Sequence, residues 1–213
     1  MINRMKKSNE IMNIHLAYLI GALADGSIYH NEKHYVYRIS YFQKSKEYLE
    51  KCIEPHVLRL FNKKGHFYHD KRKGVYFYEI NSKEVYNKFM KALESFKSKG
   101  DRRVPSWIRK GDESLQFAFI RGFFEADGYY HIRPENSDYR VRLGQSEFFI
   151  LEDIKDMLSL KFKCSDVLGP YQSESKPNVK PYYELHIHGI DQVNKFHEVI
   201  RPCHPNKQLN LEH

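Results

Sequence analysis

Phe119-Ile120-Arg121-Gly122-Phe123-Phe124-Glu125-Ala126-Asp127-Gly128 is an apolar stretch that closes on an acid and a glycine, and the chain contains it twice. The earlier copy is Leu19-Ile20-Gly21-Ala22-Leu23-Ala24-Asp25-Gly26. A shift of 102 places Ala24-Asp25-Gly26 on Ala126-Asp127-Gly128, Tyr37-Arg38 on Tyr139-Arg140 and Gln43 on Gln145. Each Asp therefore precedes a Gln by 18 residues. A shift of 107 then aligns Ile80 with Ile187 and Lys88-Phe89 with Lys195-Phe196, so the second copy carries a loop five residues longer, between Ser173 and Lys180. An ordered series of matches marks a duplicated unit.

Working outward from the two motifs, periodicity predicts the same elements in each copy. Ile14 to Ala24 and Phe117 to Ala126 read as helices, with the glycine after each acid suited to the helix exit. Two strand-like runs follow, Ser27–His30 with Tyr35–Gln43 and Tyr129–Arg133 with Tyr139–Gln145. Next come helices opened by Ser45 and Ser146, the first ended or kinked by Pro55. A second hairpin (His66–His69 with Val75–Ile80, and Val167–Tyr171 with Tyr182–His188) precedes a last helix, Ser82–Phe96 or Ile190–Ile200. The predicted class is α+β, with two αββαββα subdomains related by a pseudo-two-fold axis. The expected division is 1–99, a linker over 100–112, and 113–213, with Trp107 packing the linker against a subdomain.

Composition narrows the function. The chain has 213 residues and a formal net charge of +8. The excess is lopsided: residues 1–100 hold 19 basic against 10 acidic side chains, residues 101–213 hold 16 against 17. A basic chain rich in aromatics suits nucleic acid, whose phosphates release counterions when neutralised. No apolar run is long enough to span a bilayer and the polar start does not read as a signal peptide. Cys52, Cys164 and Cys203 are scattered and odd in number, which argues against a disulfide framework and for a reducing, cytoplasmic setting (or an organellar matrix). His186 and His188 share a strand face, but no Cys or His spacing supports a closed zinc site.

Two acids at the ends of crossing helices would repel each other, and helix C-termini add negative charge. Such a pair is costly without a divalent cation. An isolated Asp-Gly is usually a turn; two at matching helix ends inside a repeat point to a site. The chain here resembles the LAGLIDADG homing endonucleases in their single-chain, two-motif form, over about residues 14–211. The match rests on both motif helices, the order of elements and the Gln after the second strand. The first motif departs from the pattern, because Gly21 precedes Asp25 by four residues whereas Gly122 precedes Asp127 by five. Either Ile20 takes the glycine position, with Ala17, Gly21 and Ala24 giving close contact, or the first helix is irregular.

The resemblance implies two antiparallel sheets forming a DNA-binding saddle and a monomer that hydrolyses both strands of a long, imperfectly palindromic duplex. It implies that Asp25 and Asp127, with the carbonyls of Ala24 and Ala126, hold Mg²⁺ (Mn²⁺ able to substitute). Gln43 and Gln145 match positions that orient water, and Lys207 matches an active-site lysine, with Lys99 preferred to Lys97 as its first-half counterpart. Strand alternation puts Arg38 and Ser40 on one face and Arg140 and Arg142 on its equivalent. Tyr29, Arg133, His66 and the run Lys71, Arg72, Lys73 join them as expected DNA contacts, and two ribbons would cover about 20 base pairs. An intron- or intein-associated gene is expected. The alternatives are an intron-RNA-binding maturase and a non-cleaving DNA-binding regulator on the same fold.

Overall fold

The structure is a computed structural model that describes residues 2–94, 102–172 and 180–209, with side chains from Glu10 onward. Helix α1 (Ile2–Ala22) runs into a 3₁₀ turn, Leu23–Asp25, and then into strand β1 (Gly26–Asn31). Strand β2 (Val36–Gln43) follows, and then a helical run of three segments: α2 (Lys46–Tyr48), a π-helical turn (Leu49–Ile53) and α3 (Glu54–Phe61). Strands β3 (His66–Asp70) and β4 (Val75–Asn81) and helix α4 (Lys83–Ala92) complete the first half. A short helix α5 (Ser106–Arg109) leads to α6 (Glu113–Asp127), β5 (Gly128–Arg133), β6 (Asp138–Gln145) and α7 (Phe148–Leu158). The chain ends through β7 (Leu168–Tyr171), β8 (Tyr182–His188), α8 (Ile190–Ile200) and a 3₁₀ turn, Pro205–Lys207.

Each half builds a four-stranded antiparallel sheet, ordered β1-β2-β4-β3 and β5-β6-β8-β7. The repeat holds at the level of register. Gly26 pairs with Tyr41 and Gly128 with Leu143, a shift of 102 in both strands; Gln43 pairs with Tyr76 and Gln145 with Tyr183, which carries the shift of 107 into β8. Ile39 and Tyr41 of β2 and Val141 and Leu143 of β6 are buried in one core with the helices, and Tyr37 of β2 is buried as well. Strand alternation therefore leaves Arg38 and Phe42, and Arg140, Arg142 and Gly144, on the other face.

The core is organised around α1 and α6, which cross with backbone against backbone. A methyl group on Gly21 would lie 2.1 Å from the Phe119 carbonyl oxygen, and one on Gly122 would lie 2.1 Å from the Tyr18 carbonyl oxygen. The contacts are reciprocal and related by a shift of 101, not the 102 that relates the two acids. The 3₁₀ turn absorbs the difference. Five α-helical steps from Gly122 to Asp127 rise about 7.5 Å at 1.5 Å each. One such step and three 3₁₀ steps of about 2.0 Å carry Gly21 to Asp25 over the same height. Local irregularity in the first helix, not substitution of Ile20 for glycine, is how the shorter motif delivers its acid.

Several expectations are corrected. Helix α1 starts at Ile2 rather than near Ile14. Pro55 does not end its helix: a π turn lies just before it, and α3 continues to Phe61 with Pro55 in its first turn, where a missing N–H costs no bond. Gly26 and Gly128 leave their helices in extended backbone (φ −150° and −95°), so neither is a left-handed cap. Within the linker, Arg103, Val104 and Arg109 are fixed to the second half, for Asp153 of α7 is fully buried and accepts from Arg103 Nε (2.9 Å), Arg103 Nη2 (2.6 Å), Arg109 Nη1 (2.9 Å) and the Val104 amide (2.9 Å). Trp107 donates its indole N–H to the Ala92 carbonyl at 2.9 Å, tying the linker to α4 as expected. Among the described residues, no helix is long and apolar enough to cross a membrane.

Because both neighbours at the crossing are backbone, side-chain repacking cannot relieve a substitution there. Gly122→Ala should lose more than about 3 kcal/mol in urea unfolding, the upper end of the usual overpacking range. A methyl group on Gly144 would meet nothing closer than the Tyr183 carbonyl oxygen at 3.8 Å, so Gly144→Ala should stay within about 1 kcal/mol of wild type. Equal losses from the two variants would remove the crossing from its central place.

Candidate active site

The crossing brings the ends of both motifs together. Gln43, at the end of β2, donates from Nε2 to Asp25 Oδ2 at 2.6 Å and reaches the Ala126 carbonyl of the other motif at 3.4 Å. Gln145, at the end of β6, donates from Nε2 to Asp127 Oδ2 at 2.9 Å, while its own Oε1 accepts from the Ser146 amide at 2.7 Å. Lys207 Nζ donates to three carbonyls at the end of α6: Phe124 (3.1 Å), Glu125 (2.7 Å) and Ala126 (2.8 Å). A cation there answers both the unpaired carbonyls and the negative end of the helix.

The electrostatics match this crowding. Burial raises the Asp127 carboxyl to about 7, with the neighbouring Asp25 pushing it further up and Lys207 and Gln145 opposing. Asp25 is also raised by burial, against the pull of Lys207. Lys207 is lowered to about 8 by burial, although Asp127, Asp25 and Glu125 favour its charge. Two carboxylates that hinder each other's ionisation, beside backbone oxygens, make a hard all-oxygen donor set of the kind that suits Mg²⁺ or Ca²⁺. The residues present fit a divalent cation.

Residues 114–201 match the LAGLIDADG-like domain family. Homing endonuclease I-ApeI of Aeropyrum pernix is 26% identical over 203 residues, which cover 92% of this chain and 85% of that protein. Among solved structures, mesophilic variants of the homing endonuclease I-DmoI are 22% identical with a TM-score of 0.64, covering 89% of this chain and 96% of theirs. I-DmoI in complex with DNA and Mn is 21% identical with a TM-score of 0.62, over 89% of this chain and 97% of that one. Residues 114–201 thus form a LAGLIDADG-like domain, and the chain as a whole shares the fold of I-DmoI. The motif helices of this chain are α1, continued by its 3₁₀ turn, and α6.

The structure gathers Asp25, Asp127, Gln43, Gln145, Lys207 and the backbone at Ala126 into one centre. Ala24 lies in the 3₁₀ turn next to Asp25. Lys99 lies outside the described residues. On the outer face of the first sheet, the Arg38 guanidinium stacks 5.3 Å from the Tyr29 ring centroid; Ser40, expected as a DNA contact, is instead buried (3% exposed), its Oγ donating to Glu79 Oε1 at 3.1 Å. His66 is exposed at the start of β3, and Lys71, Arg72 and Lys73 are exposed in the β3–β4 turn, where Asp70 accepts from the Arg72 and Lys73 amides. In the second half Arg133 is exposed at the end of β5, while Arg140 Nε donates to Asp138 at 2.5 Å and Arg142 pairs with Glu184.

Sequence reading missed the support beneath this centre. Glu125, fully buried, accepts from the Tyr18 hydroxyl, from Arg121 Nε at 3.2 Å and from the Cys203 amide at 2.5 Å. Cys203 is joined to Cys52 by a disulfide with Cα atoms 6.4 Å apart, which corrects the expectation of unpaired cysteines. The bridge fastens the tail that carries Lys207 to a helical segment of the other half. His204 stacks on Tyr48, its ring centroid 4.5 Å away, and seats the same tail. Only the buried acid inside a LAGLIDADG helix could have hinted at these contacts.

Both acids bind a proton more tightly in the folded protein than in the unfolded chain. Their ionisation therefore removes stability as pH rises from about 4 through about 7. Without divalent cations, Asp127→Asn should melt above wild type at pH 8, and the gap should close by pH 5, where Asp127 is protonated. Each kcal/mol is worth about 2–4 °C in a chain of this size. Calorimetry that shows the same gap at both pH values would remove the carboxylate repulsion.

Proposed function

We propose that this chain is a metal-dependent DNA endonuclease that cuts both strands of one duplex at the composite centre formed by Asp25 and Asp127. The observation that carries the reading is the pair of mutually opposed carboxylates, each held by a strand-end glutamine, between two sheets with basic and aromatic outer faces. A binding module has no use for two acids placed where phosphates would repel them. The likeness to I-ApeI, a homing endonuclease, supports the same reading. I-DmoI has been crystallised with DNA and Mn, Ca or Mg, which supports a divalent cofactor; we take Mg²⁺ as the working ion, with Mn²⁺ able to replace it.

The carboxylates of Asp25 and Asp127 and the carbonyls of Ala24 and Ala126 would hold the cation. Bound there, it would supply Lewis acidity toward phosphate oxygens and water. The chain's own residues do the remaining work. Gln43 and Gln145 fix the carboxylate rotamers through Nε2, so the acids need no reorganisation as charge develops. Lys207 holds the end of α6 in place and offers a proton whose pKa, about 8, suits exchange near neutral pH. The exposed sheet faces and the Lys71–Lys73 turn take the duplex backbone.

We further propose that the division at 1–99, 100–112 and 113–213 is functional, each subdomain taking one half of a target of about 20 base pairs. One chain carries both acids, so a monomer suffices and nothing imposes a perfect palindrome. We place the gene within an intron or intein, with the uninterrupted locus as target.

Asp25→Asn and Asp127→Asn should each abolish Mg²⁺-dependent double-strand cleavage of that uninterrupted locus while keeping duplex affinity within about tenfold of wild type. Full cutting by either variant would remove that residue from the centre.

Changing Lys71, Arg72 and Lys73 together to Ala should weaken binding to every duplex alike and lower the salt slope by about 2–3. A changed base preference with an unchanged slope would mean that these residues read bases instead.

A further inference from the structure

The two outer sheet faces carry the same three-residue constellation in different registers. In the first sheet Tyr29 pairs across strands with Arg38, whose guanidinium lies 5.3 Å from the tyrosine ring centroid. Arg38 Nη1 is 3.5 Å from Glu79 Oε2, and Glu79 sits opposite Ser40, two residues beyond Arg38. In the second sheet Tyr129 pairs with Arg142, whose guanidinium lies 5.4 Å from that ring centroid. Arg142 Nη2 donates to Glu184, and Glu184 sits opposite Gly144, again two residues beyond the arginine. Here the support is tighter, since Arg142 Nε also donates to His186 Nε2 at 3.1 Å, and Glu184 and His186 are only 4% and 3% exposed.

These constellations are not equivalent under the repeat. Gln43 and Gln145 mark the same point on each strand, beside the acid they hold. Arg38 stands five residues before Gln43, whereas Arg142 stands three before Gln145. Two residues on one strand face span about 6.6–6.8 Å, which is about two base-pair steps of about 3.4 Å. The repeat aligns Arg142 with Ser40, so this offset arose where the two halves diverged.

An arginine has five N–H groups in a fixed fork, and a carboxylate that takes one of them sets the direction of the rest. With a tyrosine against its face and an acid at one edge, the fork keeps a free pair of donors in one plane. Guanine O6 and N7 accept such a pair in the major groove.

We propose that Tyr29–Arg38–Glu79 and Tyr129–Arg142–Glu184 are two guanine-reading stations, with Glu79 and Glu184 as positioning residues that determine specificity. The second station reads about two base pairs nearer the cleavage centre than the first. This rests on the endonuclease reading, and it assigns to two acids on a DNA-facing surface a role that charge alone would deny them.

The test is selection by the full-length protein from duplexes randomised over about 20 base pairs, without divalent cations. Wild type should enrich one guanine in each half, the two unequally spaced from the centre by about two base pairs. Glu184→Gln, which keeps shape and removes charge, should lower the second guanine preference about tenfold, within the range of one bidentate contact. It should leave the first preference intact, which also shows that the variant is folded. Glu79→Gln should do the converse, and Arg142→Lys should match Glu184→Gln. The proposal is overturned if the wild-type guanines are absent or equally spaced. It is equally overturned if Glu184→Gln raises affinity for all sequences with no change in base preference, for the glutamate would then only neutralise. Failure of wild type to retain any duplex would instead bring down the endonuclease reading, and this inference with it.

Discussion

Everything in this molecule depends on two helices approaching until only backbone lies between them. Gly21 and Gly122 each face a carbonyl of the partner helix at a distance that leaves no room for a methyl group. That contact sets the separation of the two halves and aims both helices at one point. Neither half could build the centre alone, because each supplies one acid, and the Gln43 amide spans the gap by touching both motifs. The 3₁₀ turn at Leu23–Asp25 shows how strongly the geometry is held. A motif one residue shorter still delivers its acid to the same height by tightening its last turn.

Such an arrangement concentrates cost at the helix ends. Two acids, partly buried, meet the negative ends of two helices, and the structure answers with fixed dipoles and one cation. The glutamine amides, the Lys207 ammonium and the tail that carries it are all aimed at this point. The tail is held by a buried glutamate, by the stacking of His204 on Tyr48 and by the Cys52–Cys203 bridge. Stability is given up at the acids and recovered around them, as expected where a site is prepared in advance for a charged ligand.

The sheets carry the remaining function, and they diverge where the centre does not. Their register is the same to the residue through the pairs that lead to Gln43 and Gln145. On the outer faces the arginine supported by a glutamate has moved by two positions, the smallest step that keeps a side chain on the same side of a strand. A duplicated protein can change what it reads by such steps without disturbing its core.

The sequence by itself determined the duplication, the order of elements, the two acids and their glutamines, because these rest on local periodicity and on spacing that the repeat preserves. Strand alternation likewise placed Arg38 and Arg142 on the outer face. Only the tertiary structure decided how the shorter first motif is accommodated, since a 3₁₀ turn and an α turn differ by one hydrogen-bond partner and share a composition. It alone paired Cys52 with Cys203, 151 residues apart. It also showed that Asp153 holds the linker and that Glu184 holds Arg142. Those contacts join residues far apart in the chain, or side chains whose rotamers are chosen by their neighbours. No periodicity records them, because they come into being only when distant parts of the chain pack together.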